Sequence, residues 1–513
     1  MDIHRRVVLI IADGWGVAPP SPGNYISQAK TPNFDNFLVK YPNSTNVAAG
    51  NAVGVPEGSQ GNSEIGHLHI GAGRIVWQML TLVNKAIDDG SLFEKENLKT
   101  ALEKVKNDNS SLHIFGMFSD EGIHSHINHA KALLTYAQKM GIQKIYIHFI
   151  ADGRDVPEKS AQTYVDDIEK LGIGKIASVV GRYYAMDRDN NWDRTQKAYD
   201  MLTLGKGFTA QTATEAVSNA YARGDKTDYY IQPTVIVDQS NAPVSVLQDN
   251  DLVIFFNFRT DRPRQLSHAL KDSIFDKFNR EKHPTVSLLT MTPYDTSLEE
   301  NAILHFHEQP VVNNLGSILS QNNLKQLRLA ETDKYAHVTY FFNSEIEKPF
   351  SGEDRILIPS PKVPSYDLEP EMSAREITKT ALQKISENTY DFMLINFANC
   401  DLVGHAAVKK AVITAVETVD QCVGTVVTAA LATGYTVIFT ADHGNAEDKL
   451  YSNGQPRPSH STNPVPFILI SRDLELQRVA LKSGGQQDVA PTILEIMGLP
   501  KPPEMTGTSL IHK

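Results

Sequence analysis

The chain has 513 residues, 41% of them hydrophobic and 21% charged, the balance of a globular protein long enough for more than one domain. Its formal net charge is −11, which argues against a surface built for nucleic acid or an anionic membrane, so an anionic substrate needs a locally basic pocket. Cys400 and Cys422 form no CxxC pair, so neither a disulfide framework nor a thiolate metal site is expected. No run reads as long enough to span a membrane, and the N-terminal apolar run is too short for a signal peptide, so a cytoplasmic location is expected.

The first apolar, β-branched run, Val7–Ile11, reads as a buried strand and leads into Asp13-Gly14-Trp15-Gly16. Asn62-Ser63-Glu64 predicts a helix start that puts Ser63 at an N-terminus, where a phosphate is favoured; an ordinary serine N-cap has the same local signature. Gly61 and Gly66 on either side permit close backbone approach. Leu112–Phe118 precedes His124 and His126; Ile145–Ile150 precedes Arg154 and Asp155; Ile176–Val180 precedes Arg182 and Arg188; Leu252–Phe258 precedes Arg259 and Arg262. Residues 359–364 read as a loop, and Ser373-Ala374-Arg375-Glu376 as a capping box that opens a helix. Phe392–Phe397 runs into Asp401, with His405 four residues on, on the same face if the segment is helical. A long helical pattern over 407–432 ends at Gly434, the strand Thr436–Thr440 ends in Asp442-His443-Gly444, and His460 follows in a polar segment.

Strands alternating with helices predict an α/β protein, whose ligands gather beyond the carboxyl ends of the strands. The outer segments place carboxylates and imidazoles there, and the middle places arginines and a histidine. The economical arrangement is one α/β domain, 1–76 with 310–513, interrupted by a second α/β domain over 77–309.

Each of these residues alone has a plain structural explanation: a turn aspartate, a loop histidine, a surface ion pair. Together they suggest covalent phosphoryl transfer. A serine hydroxyl is a poor nucleophile until a metal lowers its pKa, and a carboxylate–imidazole donor set without thiolate suits Mn²⁺, Zn²⁺ or Mg²⁺. Guanidinium groups bind phosphate and carboxylate bidentately, so a small substrate that carries both groups fits the arginine-bearing strand ends. Asp155 is a candidate to orient or deprotonate a substrate hydroxyl. His124-Ser125-His126 has metal-like spacing, but lacking a nearby acidic partner His124 is read as an anion contact.

The chain resembles the cofactor-independent phosphoglycerate mutases of the alkaline phosphatase superfamily. The resemblance runs essentially end to end, through DGWG at 13–16, QGNSEIGH at 60–67, DGRD at 152–155, GRYYAMDR at 181–188, RTDR at 259–262, ETDKYAHVT at 331–339, NCDLVGH at 399–405 and TADHGNAE at 440–447. It implies an alkaline-phosphatase-like three-layer αβα domain with an inserted second α/β domain. It implies two Mn²⁺, with Mg²⁺, Co²⁺ or Zn²⁺ as substitutes: one held by Asp401, His405 and His460, the other by Asp13, Ser63, Asp442 and His443. Ser63 would be the phosphorylated nucleophile, Lys334 would stabilise charge on it, and His124, Arg154, Asp155, Arg182, Arg188, Arg259, Arg262 and Lys334 would contact substrate. The activity implied is interconversion of 3-phosphoglycerate and 2-phosphoglycerate by a monomer, without added bisphosphoglycerate. The inserted domain would exclude water and retain glycerate. The alternatives are a metal-dependent phosphomonoesterase of the same superfamily, or a non-catalytic phosphometabolite sensor.

Overall fold

The computed structural model describes residues 5–304 and 311–512. The chain divides into two compact units, Met1–Gln78 with Gln309–Lys513, and Met79–Glu308. The crossing expected near residue 310 lies outside the described residues.

Among the described residues the first unit contains an eight-stranded sheet in the order Glu353–Ile358, Gln326–Glu331, Phe392–Phe397, Val7–Ala12, Thr436–Thr440, Val465–Ile470, Asn43–Val47, Gly484–Gly485. The first five strands run parallel. Val465–Ile470 is antiparallel to both of its neighbours. Alternating side chains of Val7–Ala12 enter opposite cores. Val8, Ile10 and Ala12 pack with the helices Ala374–Glu387 and Lys409–Ala432, whereas Val7, Leu9 and Ile11 pack with Leu315–Gln321 and Val489–Met497. This period of two, with helices on both faces, makes the three layers and explains why the strand is apolar at every position. Each fully buried Val, Leu or Ile contributes about 1.5–3 kcal/mol relative to exposure.

Two local expectations need correction here. The helix at Ala374–Glu387 forms where expected, but Ser373 does not cap it; its hydroxyl donates to the Pro359 carbonyl (2.7 Å). The helix Lys409–Ala432 has 24 residues and is long and apolar enough to cross a membrane, contrary to the sequence reading; 67% of its most apolar window is buried against the sheet and its neighbours, as a core helix requires. It ends as expected, with Gly434 at φ +83°.

The second unit contains a seven-stranded sheet in the order Phe208–Ala210, Thr234–Ile236, Lys175–Gly181, Ile145–Ala151, Leu112–Met117, Leu252–Phe255, Ser287–Thr290. The last five of these strands are parallel; Thr234–Ile236 pairs antiparallel with Lys175–Gly181. Leu112 and Ile114 face one core, and Phe115 and Met117 the other. The strands expected over 112–118 and 252–258 stop at Met117 and Phe255.

Candidate active site

In the first unit four adjacent parallel strands end along one edge of the sheet: Gln326–Glu331, Phe392–Phe397, Val7–Ala12 and Thr436–Thr440. Lys334, Asp401, Asp13 and the Asp442-His443 pair lie just beyond those four ends. All five are buried. Close backbone approach makes the cluster possible. Gly14 has φ +77°, and a Cβ there would stand 2.8 Å from the Asp401 backbone.

Ser63 is the first residue of the helix Ser63–Ala72, but it does not cap that helix. Asn62 does, accepting the Ile65 N–H on its side-chain oxygen at 2.9 Å. The serine hydroxyl is thereby left for the site. Its Oγ lies 3.1 Å from Asp13 Oδ1 and 2.9 Å from His443 Nε2, and it accepts from Lys334 Nζ at 2.6 Å. The helix sits directly on the sheet edge because position 66 lacks a side chain: a Cβ on Gly66 would come 2.7 Å from the Asp442 carbonyl oxygen. Gly61 is equally constrained, with the Ala48 carbonyl 2.2 Å from its would-be Cβ.

Lys334 also donates to Asp13 Oδ1 (2.8 Å) and Asp401 Oδ2 (2.7 Å). Burial alone would push its ammonium toward the neutral form, but Asp13, Asp401 and Asp442 outweigh that and hold its pKa above the ordinary value. Burial and the neighbouring Asp442 carboxylate push the Asp13 carboxyl up. For Asp401, burial is overcome chiefly by Lys334, and its pKa is well below the usual carboxylate range.

The Asp401 group has the arrangement of a metal site. His405 Nε2 and His460 Nε2 lie 3.3 and 3.1 Å from Asp401 Oδ1, and 3.2 Å from each other. The Nδ1–H of His405 donates to the Pro458 carbonyl and that of His460 to the Gly61 carbonyl, both at 2.8 Å. Those bonds fix the tautomer in which each Nε2 presents a lone pair, the usual outer-shell arrangement of a metal-ligating histidine. Three lone-pair atoms this close repel one another unless a cation lies among them, so the donor set fits a divalent ion. Two further three-donor groups overlap at Asp13: Asp13, Asp401 and His443, and Asp13, His67 and Asp442.

The sequence reading assigned no role to His67, Asn396 or Asn445. The His67 Nδ1–H donates to the Ser63 carbonyl at 2.8 Å and stands 3.3 Å from Asp442 Oδ2. Its Nε2 is 3.1 Å from Asn396 Nδ2, which also donates to Asp13 Oδ2 at 2.9 Å. Asn445 donates to Asp401 Oδ1 at 2.8 Å. Two signals were available. His67 falls four residues after Ser63 on the helix, and Asn396 is the one polar residue in the apolar run Phe392–Phe397.

In the second unit the strands Lys175–Gly181, Ile145–Ala151, Leu112–Met117 and Leu252–Phe255 are adjacent and parallel, so the residues beyond them share an edge. Arg182 is buried there, donating to Asp152 (2.6 Å), Asp155 (2.5 Å) and His124 Nε2 (2.9 Å). Asp155 is therefore partnered by Arg182 rather than by the adjacent Arg154, which is exposed. His124 does have acidic neighbours, contrary to the sequence reading: Asp155 at 3.7 Å and Asp261 at 4.0 Å. Burial, reinforced by Arg182 and Arg259, lowers its pKa to about 3, so the ring is neutral. With Nε2 accepting from Arg182, its Nδ1–H is a buried donor without a hydrogen-bond partner. His126 instead accepts the Asn128 N–H at the start of the helix Ile127–Met140. Arg188 and Arg259 both pair with Asp261, and Arg262 is buried with one bond to the Met186 carbonyl (3.0 Å) and its Nε unpartnered.

Residues 83–296 match the family described as BPG-independent PGAM N-terminus, and residues 333–499 the family described as Sulfatase. A 2,3-bisphosphoglycerate-independent phosphoglycerate mutase of Clostridium botulinum (strain Langeland / NCTC 10281 / Type F) is 49% identical over 513 residues, 99% of each chain. The chain belongs to the 2,3-bisphosphoglycerate-independent phosphoglycerate mutase family. A mutase of that name from Clostridium kluyveri is 50% identical over 512 residues, again 99% of each chain. The crystal structure of Leishmania mexicana phosphoglycerate mutase at low cobalt concentration superposes with a TM-score of 0.59 at 31% identity, covering 100% of this chain and 98% of that one. Within this mutase chain, the Sulfatase match spans Lys334, Asp401, His405, Asp442, His443 and His460, and the other match spans His124 through Arg262. Asp13 and Ser63 lie outside both spans, and the full-length mutase relatives are what bring them within the family.

Proposed function

We propose that this chain interconverts 3-phosphoglycerate and 2-phosphoglycerate through a phosphoserine at Ser63. The full-length kinship with enzymes of that name supports the substrate. The observation that carries the mechanism is the Ser63 hydroxyl, freed from capping by Asn62 and 2.6 Å from the Lys334 ammonium.

Ser63 Oγ bonds to phosphorus as the bond to the substrate's C3 oxygen breaks, and the proton given up by the serine hydroxyl passes to that oxygen, leaving phospho-Ser63 and glycerate. The C2 hydroxyl of glycerate then attacks the phosphoserine and regenerates Ser63. Lys334 offsets negative charge on Oγ and on the phosphoryl oxygens. Mn²⁺ bound by Asp401, His405 and His460, and by Asp13, Ser63, Asp442 and His443, would lower the pKa of the serine hydroxyl and neutralise phosphoryl charge.

The second unit binds the organic part of the substrate. Exposed guanidinium groups of Arg154, Arg188 and Arg259, the unpaired Nε of Arg262 and the unpaired Nδ1–H of His124 are donors suited to carboxylate and phosphate. Arg182 engages its terminal nitrogens with Asp152, Asp155 and His124, so it holds those groups in place. Asp155 is the base that receives the glycerate hydroxyl proton.

The test is to incubate manganese-loaded protein with 3-phosphoglycerate, without bisphosphoglycerate, and follow 2-phosphoglycerate and inorganic phosphate together. Isomer formation well in excess of phosphate release is expected. Phosphate as the dominant product would make the chain a phosphomonoesterase instead.

A further inference from the structure

Lys449 is a fully buried lysine that neither the nucleophile nor the substrate groups account for. Its backbone is fixed on both sides: its N–H donates to the Gly23 carbonyl, and its own carbonyl accepts from Arg457 N–H, both at 2.9 Å. Its ammonium donates to three acceptors: the Gly404 carbonyl at 3.1 Å, the Ser459 carbonyl at 3.3 Å and the side-chain oxygen of Asn445.

Each acceptor leads directly to one member of the Asp401 group. Gly404 immediately precedes His405, and Ser459 immediately precedes His460. Asn445, through its amide nitrogen, donates to Asp401 Oδ1 at 2.8 Å. These acceptors come from three separate segments of chain, and the Lys449 ammonium is the point where they meet. Burial dominates and lowers the ammonium's pKa to about 8, with Glu447 the largest opposing charge and Asp401 and Asp448 also nearby. Glu447 in turn accepts the backbone N–H groups of Gly16 (3.1 Å) and Asn445 (2.8 Å). A buried ammonium is retained only when such partners saturate it, and here saturating it ties the three donors together.

We propose that Lys449 is a positioning residue for divalent-metal binding by Asp401, His405 and His460: it sets the spacing of the two imidazoles and the carboxylate before the ion arrives. It touches neither substrate nor ion. This inference rests on the assignment of that group as a metal site, and the experiment separates the two. Metal-free wild type, Lys449→Met and His405→Ala are titrated with Mn²⁺ by calorimetry, and the melting temperature of each metal-free protein is measured. His405→Ala identifies the binding event that belongs to this group. Lys449→Met should weaken that same event about 10–100-fold, the usual effect of losing an outer-shell partner. It also leaves the Gly404, Ser459 and Asn445 oxygens without their buried donor, so the metal-free melting temperature should fall as well, and the affinity is the deciding readout.

Wild-type affinity in Lys449→Met, with the event lost in His405→Ala, overturns the inference and leaves the metal site standing. Wild-type affinity in both variants removes the metal assignment itself. A large fall in metal-free melting temperature with unchanged affinity makes Lys449 a purely structural residue and also overturns the inference. Should Lys449→Met fail to fold, Lys449→Gln, which keeps a donor, is read in the same titration; a several-fold weakening is expected, and wild-type affinity counts against the proposal.

Discussion

The ammonium nitrogen of Lys334 lies 2.6 Å from the hydroxyl oxygen of Ser63, although 271 positions separate them along the chain. One residue opens a helix and the other follows a strand end, and neither motif points to the other. The same ammonium bonds Asp13 and Asp401, so one cation faces the nucleophile and two proposed metal ligands at once.

Ser63→Ala should lower mutase turnover on the order of 10⁴-fold or more, since no other group is placed to carry the phosphoryl. Because Asn62 caps the helix, its melting temperature should stay close to that of wild type. Steady-state assays with thermal denaturation check both parts, and near-normal turnover would end the phosphoserine mechanism.

Lys334→Met should act on rate and on stability. Loss of a charge aimed at Oγ is expected to cost about 10²–10³ in kcat. In the metal-free protein it also leaves Asp13 and Asp401 without their cation, which should destabilise the fold by about 3–5 kcal/mol. Denaturant unfolding of metal-free and manganese-loaded samples should show the deficit shrinking once metal is bound.

Chelation should abolish activity, and added Mn²⁺ should restore it. Metal binding should also weaken as pH falls. For His460, burial lowers the pKa but Asp401 more than offsets this, so the net shift is upward. A raised pKa favours the protonated ring, and only the neutral ring binds metal. Proton competition should therefore begin above the ordinary histidine value, and the apparent Mn²⁺ affinity should drop as pH passes down through neutrality. A manganese titration between pH 6 and pH 8 measures it; a flat profile would contradict it.

Arg262→Ala should weaken 3-phosphoglycerate binding by about 2–5 kcal/mol if its unpaired Nε meets an anionic oxygen in a desolvated site. Equilibrium binding to Ser63→Ala and to the double variant isolates the affinity. Unchanged affinity would leave Arg262 with only its bond to Met186.

Glu331 gives a stability prediction independent of the metals. Burial raises its carboxyl pKa from 4.5 to about 7. Below pH 4.5 it is protonated in folded and unfolded chains alike and has no differential effect. Between 4.5 and 7 the unfolded chain gains from ionisation and the folded one does not, so stability falls as pH rises through that window and levels off above it. Glu331→Gln should thus be the more stable protein at pH 8, by about 3 kcal/mol at most, with the advantage gone below pH 4.5. Unfolding at the two pH values checks the sign.

The strands that carry the site were legible because a parallel strand with helices on both faces has to be apolar at every position, which makes Val7–Ala12 and Thr436–Thr440 visible as unbroken runs. The polar residues that follow them stood out against those runs. Roles that depend on a single partner were not legible. Ser63 has the sequence signature of an N-cap, and only the bond from Ile65 N–H to Asn62 shows that another residue does that work. Asp155 adjoins Arg154 in the sequence, but its carboxylate bonds Arg182, 27 positions later, a partner that adjacency does not reveal.

By itself, then, the sequence determined the alternation of strands and helices, the donor chemistry at the strand ends and the resemblance to a mutase family, because period, residue type and motif are local properties. The tertiary structure alone decided which donors meet: strand order brings Lys334, Asp401, Asp13 and Asp442 to one edge, and the packing of Gly66 on Asp442 brings Ser63 among them. It also decided that His67, Asn396, Asn445 and Lys449 surround the site, since hydrogen-bond partners are fixed by the register and packing of segments far apart in the chain, which residue spacing does not encode.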